Sequence, residues 1–277
     1  MALKVILADN AGFCFGVKRA IEIAKKGSGK KKILGQLVHN KQVLDELEQQ
    51  GIGMADNLDS VLKEKPDYTL IISAHGASDE TYDALREKNI RFIDAACPLV
   101  KKVHVIGKDM LKKGYQVVIV GDRKHAEVEA LNKSIKDSIV IENQGQAKGL
   151  SVFDKLAVIS QTTQTEYNFN AVVDELKKHS EDLIIRNTIC EPTKKRQESA
   201  EELAGKVDIM IVIGGKNSAN TLRLTKICEE LVETKQIETV SDLKREWFSD
   251  KKVVGVTAGA STPDVVIKGV VKAISSY

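Results

Sequence analysis

Short apolar runs alternate along this chain with longer segments of helical periodicity. The apolar runs fall at residues 3–8, 68–73, 116–120, 155–159, 207–213 and 252–257, and the helical segments fall at 16–26, 40–50, 98–113, 165–178, 218–233 and 264–275. Most of the runs are rich in Val and Ile and show little polar alternation, which is typical of strands buried on both faces. The pattern predicts an α/β fold whose small, mainly parallel sheets are built from βαβ units.

Polar and glycine residues directly follow most of the predicted strands. His39 follows the run Ile33–Val38, His75 follows a run that ends at Ser73, and Gln161 comes shortly after Ile159. Ligands of parallel α/β proteins bind outside the carboxyl ends of the strands. We therefore expect a ligand site to be built from these strand ends.

Three cysteines follow predicted strands and precede predicted helices. Cys14, Cys97 and Cys190 also divide the chain into stretches of similar length. This spacing favours three similar α/β lobes, at residues 14–97, 98–190 and 191–277, in a pseudo-threefold arrangement around a common centre. The strand within residues 1–13 is predicted to complete the sheet of the third lobe.

The charge balance gives no indication of a nucleic-acid or membrane partner. The chain carries 42 Lys and Arg against 39 Asp and Glu, a net charge of +3, whereas such binders usually present a concentrated basic face.

Apolar runs of about 18 residues do not occur, and residues 3–8 indicate a buried strand instead of a signal peptide. We expect a cytoplasmic protein, in which cysteines stay reduced.

The positions of the three cysteines favour thiolate chemistry. Helix N-termini stabilise thiolates, and thiolates bind iron–sulfur clusters. Three thiolates can serve three irons of a four-iron cluster and leave the fourth open, as a Lewis-acid catalyst requires. The alternative is that these cysteines are small buried apolar residues, which is the stronger interpretation for Cys228 in the middle of a predicted helix.

Candidate anion ligands lie in the same strand-end loops. Imidazoles at His39, His75 and His125 could bind a diphosphate or, alternatively, zinc, although no close His-x-x-His pair supports zinc. Two glycine turns, at 214–220 and 258–263, lead into predicted helices whose N-termini attract anions. Glu127 is a candidate acid–base group, with an ordinary surface glutamate as the alternative.

These motifs together resemble those of the LytB/IspH family of 4-hydroxy-3-methylbut-2-enyl diphosphate reductases. The matching stretches follow the family's order along nearly the whole chain: AGFCFGVKRAI (11–21), VHN (38–40), SAHG (73–76), AACPLVKKVH (95–104), HAEV (125–128), QTTQ (161–164), NTICEPTKKRQES (187–199), GGKNSANTLRL (214–224) and GVTAGASTPD (255–264). Departures from the family pattern occur at Ala96, Ala126, Ala219 and the pair Glu191-Pro192. Ala219 can donate a backbone N–H but supplies no hydroxyl.

The resemblance implies a reductase that removes the hydroxyl group of the allylic diphosphate and gives isopentenyl and dimethylallyl diphosphate. It implies one [4Fe-4S] cluster with one open iron and, as its ligands, Cys14, Cys97 and Cys190. It implies that the substrate is bound by His39, His75, His125, Gln161, Thr162, Ser218, Ala219, Asn220 and Ser261. The implied catalytic residues are Glu127, Thr162 and His125, with Glu127 feeding protons to the site.

External electrons are expected, because the Gly-x-Gly-x-x-Gly fingerprint of nicotinamide and flavin enzymes is absent from the sequence. The resemblance implies ferredoxin or flavodoxin as the donor. Two alternatives remain open at this point. An iron–sulfur sensor or electron carrier would need no phosphate pocket, and a cysteine hydrolase would leave two of the loop cysteines unexplained.

Overall fold

The strands and helices follow one another in regular alternation in the computed structural model, which describes residues 3–64 and 66–277. The strands are β1 (Lys4–Leu7), β2 (Lys31–Leu34), β3 (Ile52–Ala55), β4 (Thr69–Ile72), β5 (Phe92–Asp94), β6 (Gln116–Val120), β7 (Ile139–Ile141), β8 (Lys155–Ser160), β9 (Asp182–Ile185), β10 (Ile209–Ile213), β11 (Thr234–Ile237) and β12 (Val253–Ala258). The helices are α1 (Phe15–Lys25), α2 (Lys41–Gln49), α3 (Leu58–Glu64), α4 (Asp79–Glu87), α5 (Pro98–Lys112), α6 (Ala126–Ser134), α7 (Gln144–Ala147), α8 (Glu166–Leu176), α9 (Glu191–Ala204), α10 (Ala219–Glu229) and α11 (Asp264–Ile274).

These strands form three parallel sheets of four strands each. The strand orders are β1-β12-β10-β11, β3-β2-β4-β5 and β7-β6-β8-β9. Within every sheet the paired strands run parallel, as in the register of Ile211 with Val256. The predicted fold class of three small, mainly parallel α/β lobes is therefore confirmed. The pseudo-threefold arrangement around a common centre stays a prediction.

The chain divides into two compact units. One unit comprises the N-terminal segment that ends at Val17, residues 39–43 and residues 191–277, and it contains the sheet β1-β12-β10-β11. We call this unit 1. The other, unit 2, comprises residues 18–38 and 44–190 and contains the other two sheets. The predicted lobe boundaries stay a prediction, and residues 1, 2 and 65 of those lobes lie outside the described residues.

The core of unit 1 lies on both faces of its sheet. Ile209, Ile211 and Ile213 point to one apolar cluster, which also contains Ile267 of α11. Met210 and Val212 point to a second cluster together with residues of α9 and α10. Because both faces of β10 are covered, all five of its residues are buried, which explains its uninterrupted apolar sequence.

The two sheets of unit 2 are covered in the same way. Val118 and Val120 of β6 pack toward Phe169 of α8, whereas Val117 and Ile119 pack toward residues of α5 and α6. In the other sheet, Leu70 and Ile72 contact Leu85 of α4.

None of the helices in the described part of the chain combines the length and apolar character that a bilayer crossing requires.

One predicted strand is shifted in the structure. The run Ile33–Val38 predicts a strand that ends at Val38, directly before His39, but β2 ends at Leu34. Gly35 has a φ of +70°, a left-handed conformation that suits glycine and breaks the extended backbone. Leu37 and Val38 are instead buried in the loop that follows. The apolar run thus reflects burial of a loop as well as a strand.

Candidate functional site

The three predicted ligand cysteines occupy equivalent positions. Each stands one residue before a helix: Cys14 before α1, Cys97 before α5 and Cys190 before α9. Each donates its backbone N–H to a carbonyl that lies two residues beyond an inner strand of its sheet. The bonds are Cys14 to Ala260 beyond β12 (3.2 Å), Cys97 to Ala74 beyond β4 (3.0 Å) and Cys190 to Thr162 beyond β8 (3.0 Å). The same local geometry therefore carries a cysteine at all three sites.

The thiols of these cysteines suit metal binding. All three are partly exposed and outside any disulfide, and each lies at the N-terminal end of a helix, where the backbone N–H groups and the helix dipole favour a thiolate. Cys228 is different, because it is buried in the apolar cluster beneath β10. Burial, followed by the charges of Glu229 and Glu201, raises the pKa of Cys228 to about 12, so its thiol stays protonated.

Glu127 and Thr162 form a buried pair in unit 2. The carboxylate of Glu127, only 2% exposed, accepts the Thr162 backbone N–H at 2.7 Å and the Thr162 hydroxyl at 2.8 Å. Glu127 lies in the first turn of α6, and Thr162 lies two residues beyond the end of β8. The two residues meet because β6 and β8 are adjacent parallel strands. A carboxylate and a hydroxyl so joined can pass a proton between them.

His125 lies at the same strand end as Glu127. It is the N-cap of α6, and its Nδ1 accepts the backbone N–H of Glu127 at 3.2 Å. In the neutral imidazole the ring proton is therefore on Nε2, which can act as a donor. His75 contacts His125 edge to face, with ring centroids 5.2 Å apart. Unit 2 thus brings together His75, His125, Glu127 and Thr162, as the sequence predicted for strand ends.

Gln161 is fully buried beside this pair, and its side-chain amide makes hydrogen bonds to other residues of the protein. Its Oε1 accepts the backbone N–H of Asp122 at 3.0 Å, and its Nε2 donates to the hydroxyl of Thr163 at 3.0 Å. These bonds tie the loop after β6 to the loop after β8. Gln161 therefore orders the backbone on which Thr162 is carried.

A set of small polar residues opens helix α10 in unit 1. Ser218 is the N-cap and its hydroxyl accepts the backbone N–H of Thr221 at 3.4 Å. Ala219 is the first residue of the helix. Asn220 is 4% exposed, and neither atom of its side-chain amide has a hydrogen-bond partner in the structure. Buried amides are normally hydrogen bonded, so this one is suited to an incoming polar ligand.

Glycines allow the loops beside α10 to approach closely. A Cβ atom at Gly214 or Gly259 would collide with the side chain of Thr221, and Gly259 also faces the Asn220 amide. Gly214 has a φ of +152°, which residues with a side chain rarely adopt. The two glycine turns predicted as anion sites therefore lie against one helix N-terminus.

Ser261 and His39 meet in unit 1. The Ser261 hydroxyl donates to the backbone carbonyl of His39 at 3.2 Å, and a Cβ atom at Gly215 would lie 2.9 Å from the same carbonyl. Burial lowers the pKa of His39 below its ordinary value, so the imidazole is neutral at pH 7. Unit 1 thus places His39 and Ser261 beside the loop of Gly215 that leads into α10.

Two arginines contact the cysteine loops and were missed by the sequence interpretation. Arg196 donates to the carbonyl of Gly12 at 2.7 Å, and Arg19 donates to the carbonyl of Ala96 at 3.1 Å. Arg196 lies in a short basic run, Lys194-Lys195-Arg196, to which the sequence interpretation assigned no role. A signal was present nevertheless, because Arg19 and Arg196 follow Cys14 and Cys190 at nearly the same interval.

Fold and site together define an α/β protein of three small parallel sheets, in which a partly exposed cysteine precedes a helix at the end of each sheet. The chain belongs to the LytB protein family, whose profile matches residues 5–275. The family resemblance that the sequence motifs indicated is therefore confirmed.

Relatives of this family align with the chain from end to end. A protein of Caldanaerobacter subterraneus subsp. tengcongensis is 43% identical over 99% of this chain and 97% of its own length, and one of Campylobacter hominis is 41% identical over 99% of both. Both are named 4-hydroxy-3-methylbut-2-enyl diphosphate reductase.

Solved structures agree with the fold. One is described as the E-1-hydroxy-2-methyl-but-2-enyl-4-diphosphate reductase from Plasmodium falciparum. It superimposes with a TM-score of 0.90 at 29% identity, over 98% of this chain and 88% of that one. A second structure, described as (E)-4-hydroxy-3-methylbut-2-enyl diphosphate reductase, the terminal enzyme of the non-mevalonate pathway, matches with a TM-score of 0.70 at 40% identity over the full length of both chains.

Proposed function

We propose that this protein is an oxidoreductase that removes the hydroxyl group of 4-hydroxy-3-methylbut-2-enyl diphosphate. The products are isopentenyl and dimethylallyl diphosphate, formed in the last step of the non-mevalonate isoprenoid pathway. Family membership and the full-length relatives named for this reaction support the proposal. The observation in the structure that carries it is the repeated placement of Cys14, Cys97 and Cys190, each partly exposed and directly before a helix.

The cysteines fit an iron–sulfur cofactor. Cys14 in unit 1 and Cys97 and Cys190 in unit 2 are the proposed ligands of one [4Fe-4S] cluster. When bound, a cluster with three thiolate ligands supplies electrons one at a time and an open metal position of Lewis-acid character. Cys228 is excluded as a ligand, because its thiol is buried among apolar side chains and stays protonated.

The polar residues of unit 1 fit the diphosphate. Ser218 and Asn220 offer neutral donors, and the backbone N–H of Ala219 adds another at the N-terminus of α10. Ser261 would donate to the ligand when its hydroxyl turns away from the carbonyl of His39, and the neutral imidazole of His39 belongs to the same residue. The unpartnered amide of Asn220 supports this assignment, because burial without a hydrogen bond is costly unless a ligand supplies the bond. In unit 2, His75 and His125 are the proposed donors to the same group.

Glu127 and Thr162 are the proposed route for protons. Loss of the hydroxyl group as water requires its oxygen to be protonated. When Glu127 is protonated, it can donate to the Thr162 oxygen while Thr162 passes its own hydroxyl proton to the departing oxygen, along the 2.8 Å contact already present. Gln161 holds Thr162 in place through its bonds to Asp122 and Thr163, and the Nε2–H of His125 is directed by its N-cap contact.

The electrons come from outside the chain in this proposal. The sequence contains no nicotinamide or flavin fingerprint, so ferredoxin or flavodoxin is the proposed donor. We propose a cytoplasmic location, where such donors act and thiols stay reduced. Nucleic acid and membrane are not part of the proposed function.

The test is anaerobic reconstitution with iron and sulfide, followed by reduction with dithionite and a viologen in the presence of the synthetic diphosphate. We expect a brown protein with about four irons that converts the diphosphate to the two isoprenoid products. A brown protein without affinity for the diphosphate would favour a sensor or electron carrier. A colourless, iron-free protein that turns over would favour a cysteine hydrolase.

A further inference from the structure

Arg196 connects the chain segments beside two of the proposed ligand cysteines. It is 3% exposed. Its guanidinium donates one hydrogen bond to the carbonyl of Pro192 at 3.1 Å and another to the carbonyl of Gly12 at 2.7 Å. Pro192 lies two residues after Cys190, and Gly12 lies two residues before Cys14. One buried cation therefore joins the helix start after one cysteine to the loop before another.

The loop before Cys14 depends on helix α9 for its position. One turn beyond Arg196, the hydroxyl of Ser199 donates to the carbonyl of Asp9 in the same loop. Gly12 has a φ of +86°, a left-handed conformation in which its carbonyl is presented to Arg196. Arg196 and Ser199 thus hold the loop from Asp9 to Gly12 along one face of α9.

Arg19 makes the corresponding contact in unit 2. It lies in α1, five residues after Cys14, and its guanidinium donates to the carbonyl of Ala96 at 3.1 Å and to that of Ala95 at 3.5 Å. Ala95 and Ala96 are the two residues before Cys97, and both are buried. Two arginines, each on the helix that follows one cysteine, therefore bind the carbonyls that precede a different cysteine.

We propose that Arg196 and Arg19 are positioning residues of the iron–sulfur centre, and that Arg196 also raises its reduction potential. This rests on the proposed function, since it concerns the cofactor assigned there. Reduction adds negative charge to a cluster, and a buried cation that binds the carbonyls of Gly12 and Pro192, each two residues from a proposed thiolate ligand, stabilises the more negative state. The hydrogen bonds of Arg196 fix the carbonyls of Gly12 and Pro192. The thiolates of Cys14 and Cys190 therefore stay in position when the cluster is oxidised.

The experiment compares Arg196→Met, Arg196→Lys and Arg19→Met with the wild-type holoprotein. The first readout is the rate at which an iron(II) chelator removes iron under anaerobic conditions. Because each arginine makes charged hydrogen bonds to backbone carbonyls, we expect both Met variants to lose iron about ten to a hundred times faster. The second readout is the midpoint potential from a redox titration followed by electron paramagnetic resonance.

The lysine variant separates charge from geometry. Lysine keeps the positive charge but offers a single nitrogen, which cannot reproduce the two-pronged contact of a guanidinium. We expect Arg196→Lys to keep a potential close to that of the wild type while losing iron faster. In Arg196→Met we expect the potential to fall, with a shift of about 59 mV for a tenfold change in the equilibrium between oxidised and reduced cluster.

Arg86→Met is the matched control. Arg86 lies on the surface of α4 and pairs with Asp83, so we expect this variant to match the wild type in iron loss and potential. Thermal unfolding of the cluster-free variants measures any general loss of stability. If Arg196→Met keeps wild-type iron retention and potential, or loses iron only in proportion to a lower unfolding midpoint, the positioning role is wrong.

The remaining outcomes are also decisive. If Arg196→Met does not fold, Arg19→Met provides the same test of iron retention. If Arg196→Lys shifts the potential as far as Arg196→Met, the charge is not the cause and that part of the proposal is rejected. A wild-type protein that binds no iron at all would instead overturn the proposed function, a failure visible before any variant is compared.

Discussion

Thr162 donates two hydrogen bonds to the one carboxylate of Glu127, from its backbone N–H to Oε1 at 2.7 Å and from its hydroxyl to Oε2 at 2.8 Å. The carbonyl of the same threonine accepts the backbone N–H of Cys190 at 3.0 Å. Thr162 therefore contacts both the proposed proton source and the loop of a proposed cluster ligand. Any movement of this residue would disturb both functions at once.

Glu127→Gln should keep the cluster and lose turnover. The glutamine side chain can still accept the Thr162 N–H and donate to its hydroxyl oxygen, but it cannot release a proton to the substrate. We expect wild-type iron content and a turnover number lower by about a hundredfold to ten-thousandfold, the usual contribution of a general acid. The measurement is product formation per cluster under saturating reductant.

Glu129→Gln is the control for that variant. Glu129 lies on the same first turn of α6 but is exposed to solvent, so its change should leave turnover unaffected. Full activity of Glu127→Gln would reject the proton-transfer role. Equal losses in iron and in turnover would indicate that Glu127 is needed for the fold of the loop alone.

Cysteine substitutions should divide into two classes. Cys97→Ser should lose iron and activity together, because a serine hydroxyl is a poor ligand for an iron–sulfur cluster in place of a thiolate. Cys228→Ala should retain the iron, because Cys228 packs in the apolar cluster beneath β10, and should cost about 1–2 kcal/mol of unfolding free energy. Iron analysis and urea unfolding of both variants check this division. Iron loss in Cys228→Ala would contradict it.

The fold could be predicted from sequence where apolar runs are long and uninterrupted. The strand β10, with five buried apolar residues, is marked by such a run. The helix that begins at Pro98 is marked instead by its helical periodicity. The strand β3, Ile52–Ala55, was not predicted, because its four residues include a glycine and an exposed Met54. Short outer strands are specified mainly by pairing with a neighbour, as β3 pairs with β2, and that pairing is not visible in a local window.

The residues of the site could be predicted from the sequence, but the contacts between them could not. Glu127 attracts notice because it follows His125 by two residues, yet its partner Thr162 lies 35 residues further along the chain. Their contact depends on β8 being placed next to β6. Arg196 was not predicted as a site residue, because a short basic run does not indicate which of its residues is buried, and in the structure Arg196 is the buried one.

Asn220→Ala should weaken anion binding with little effect on stability. Its amide is buried and has no partner in the protein, so its removal breaks no internal hydrogen bond. Binding of a charged ligand should lose one or two charge-assisted hydrogen bonds, which corresponds to about a tenfold to hundredfold rise in the dissociation constant. Calorimetric titration with inorganic diphosphate and thermal unfolding measure the two effects separately.

Asn217→Ala is the comparison for Asn220. Asn217 is exposed in the turn before α10, so the variant should bind diphosphate as the wild type does. A large fall in the unfolding temperature of Asn220→Ala, with diphosphate affinity unchanged, would show that the asparagine has a structural role instead.

His104 should make the stability of the protein sensitive to mild acid. It is 9% exposed within α5, and its pKa is lowered to about 4, chiefly by burial and secondarily by Lys108, with Asp79 acting in the opposite direction. A histidine in the unfolded chain titrates near pH 6.5. Between these two values the unfolded chain binds a proton that the folded protein does not, so folding stability falls as the pH decreases.

The size and sign of this effect can be measured on the cluster-free protein. The neutral imidazole contributes its full stabilisation above about pH 6.5, and up to about 3 kcal/mol of it is lost as the pH falls to about 4. His104→Gln removes the titrating group, so its free energy of unfolding should depend less steeply on pH across this window. Urea unfolding at several pH values between 7 and 4 measures both slopes. Equal slopes in the two proteins would show that His104 is protonated in the folded state at ordinary pH values, against the burial seen in α5.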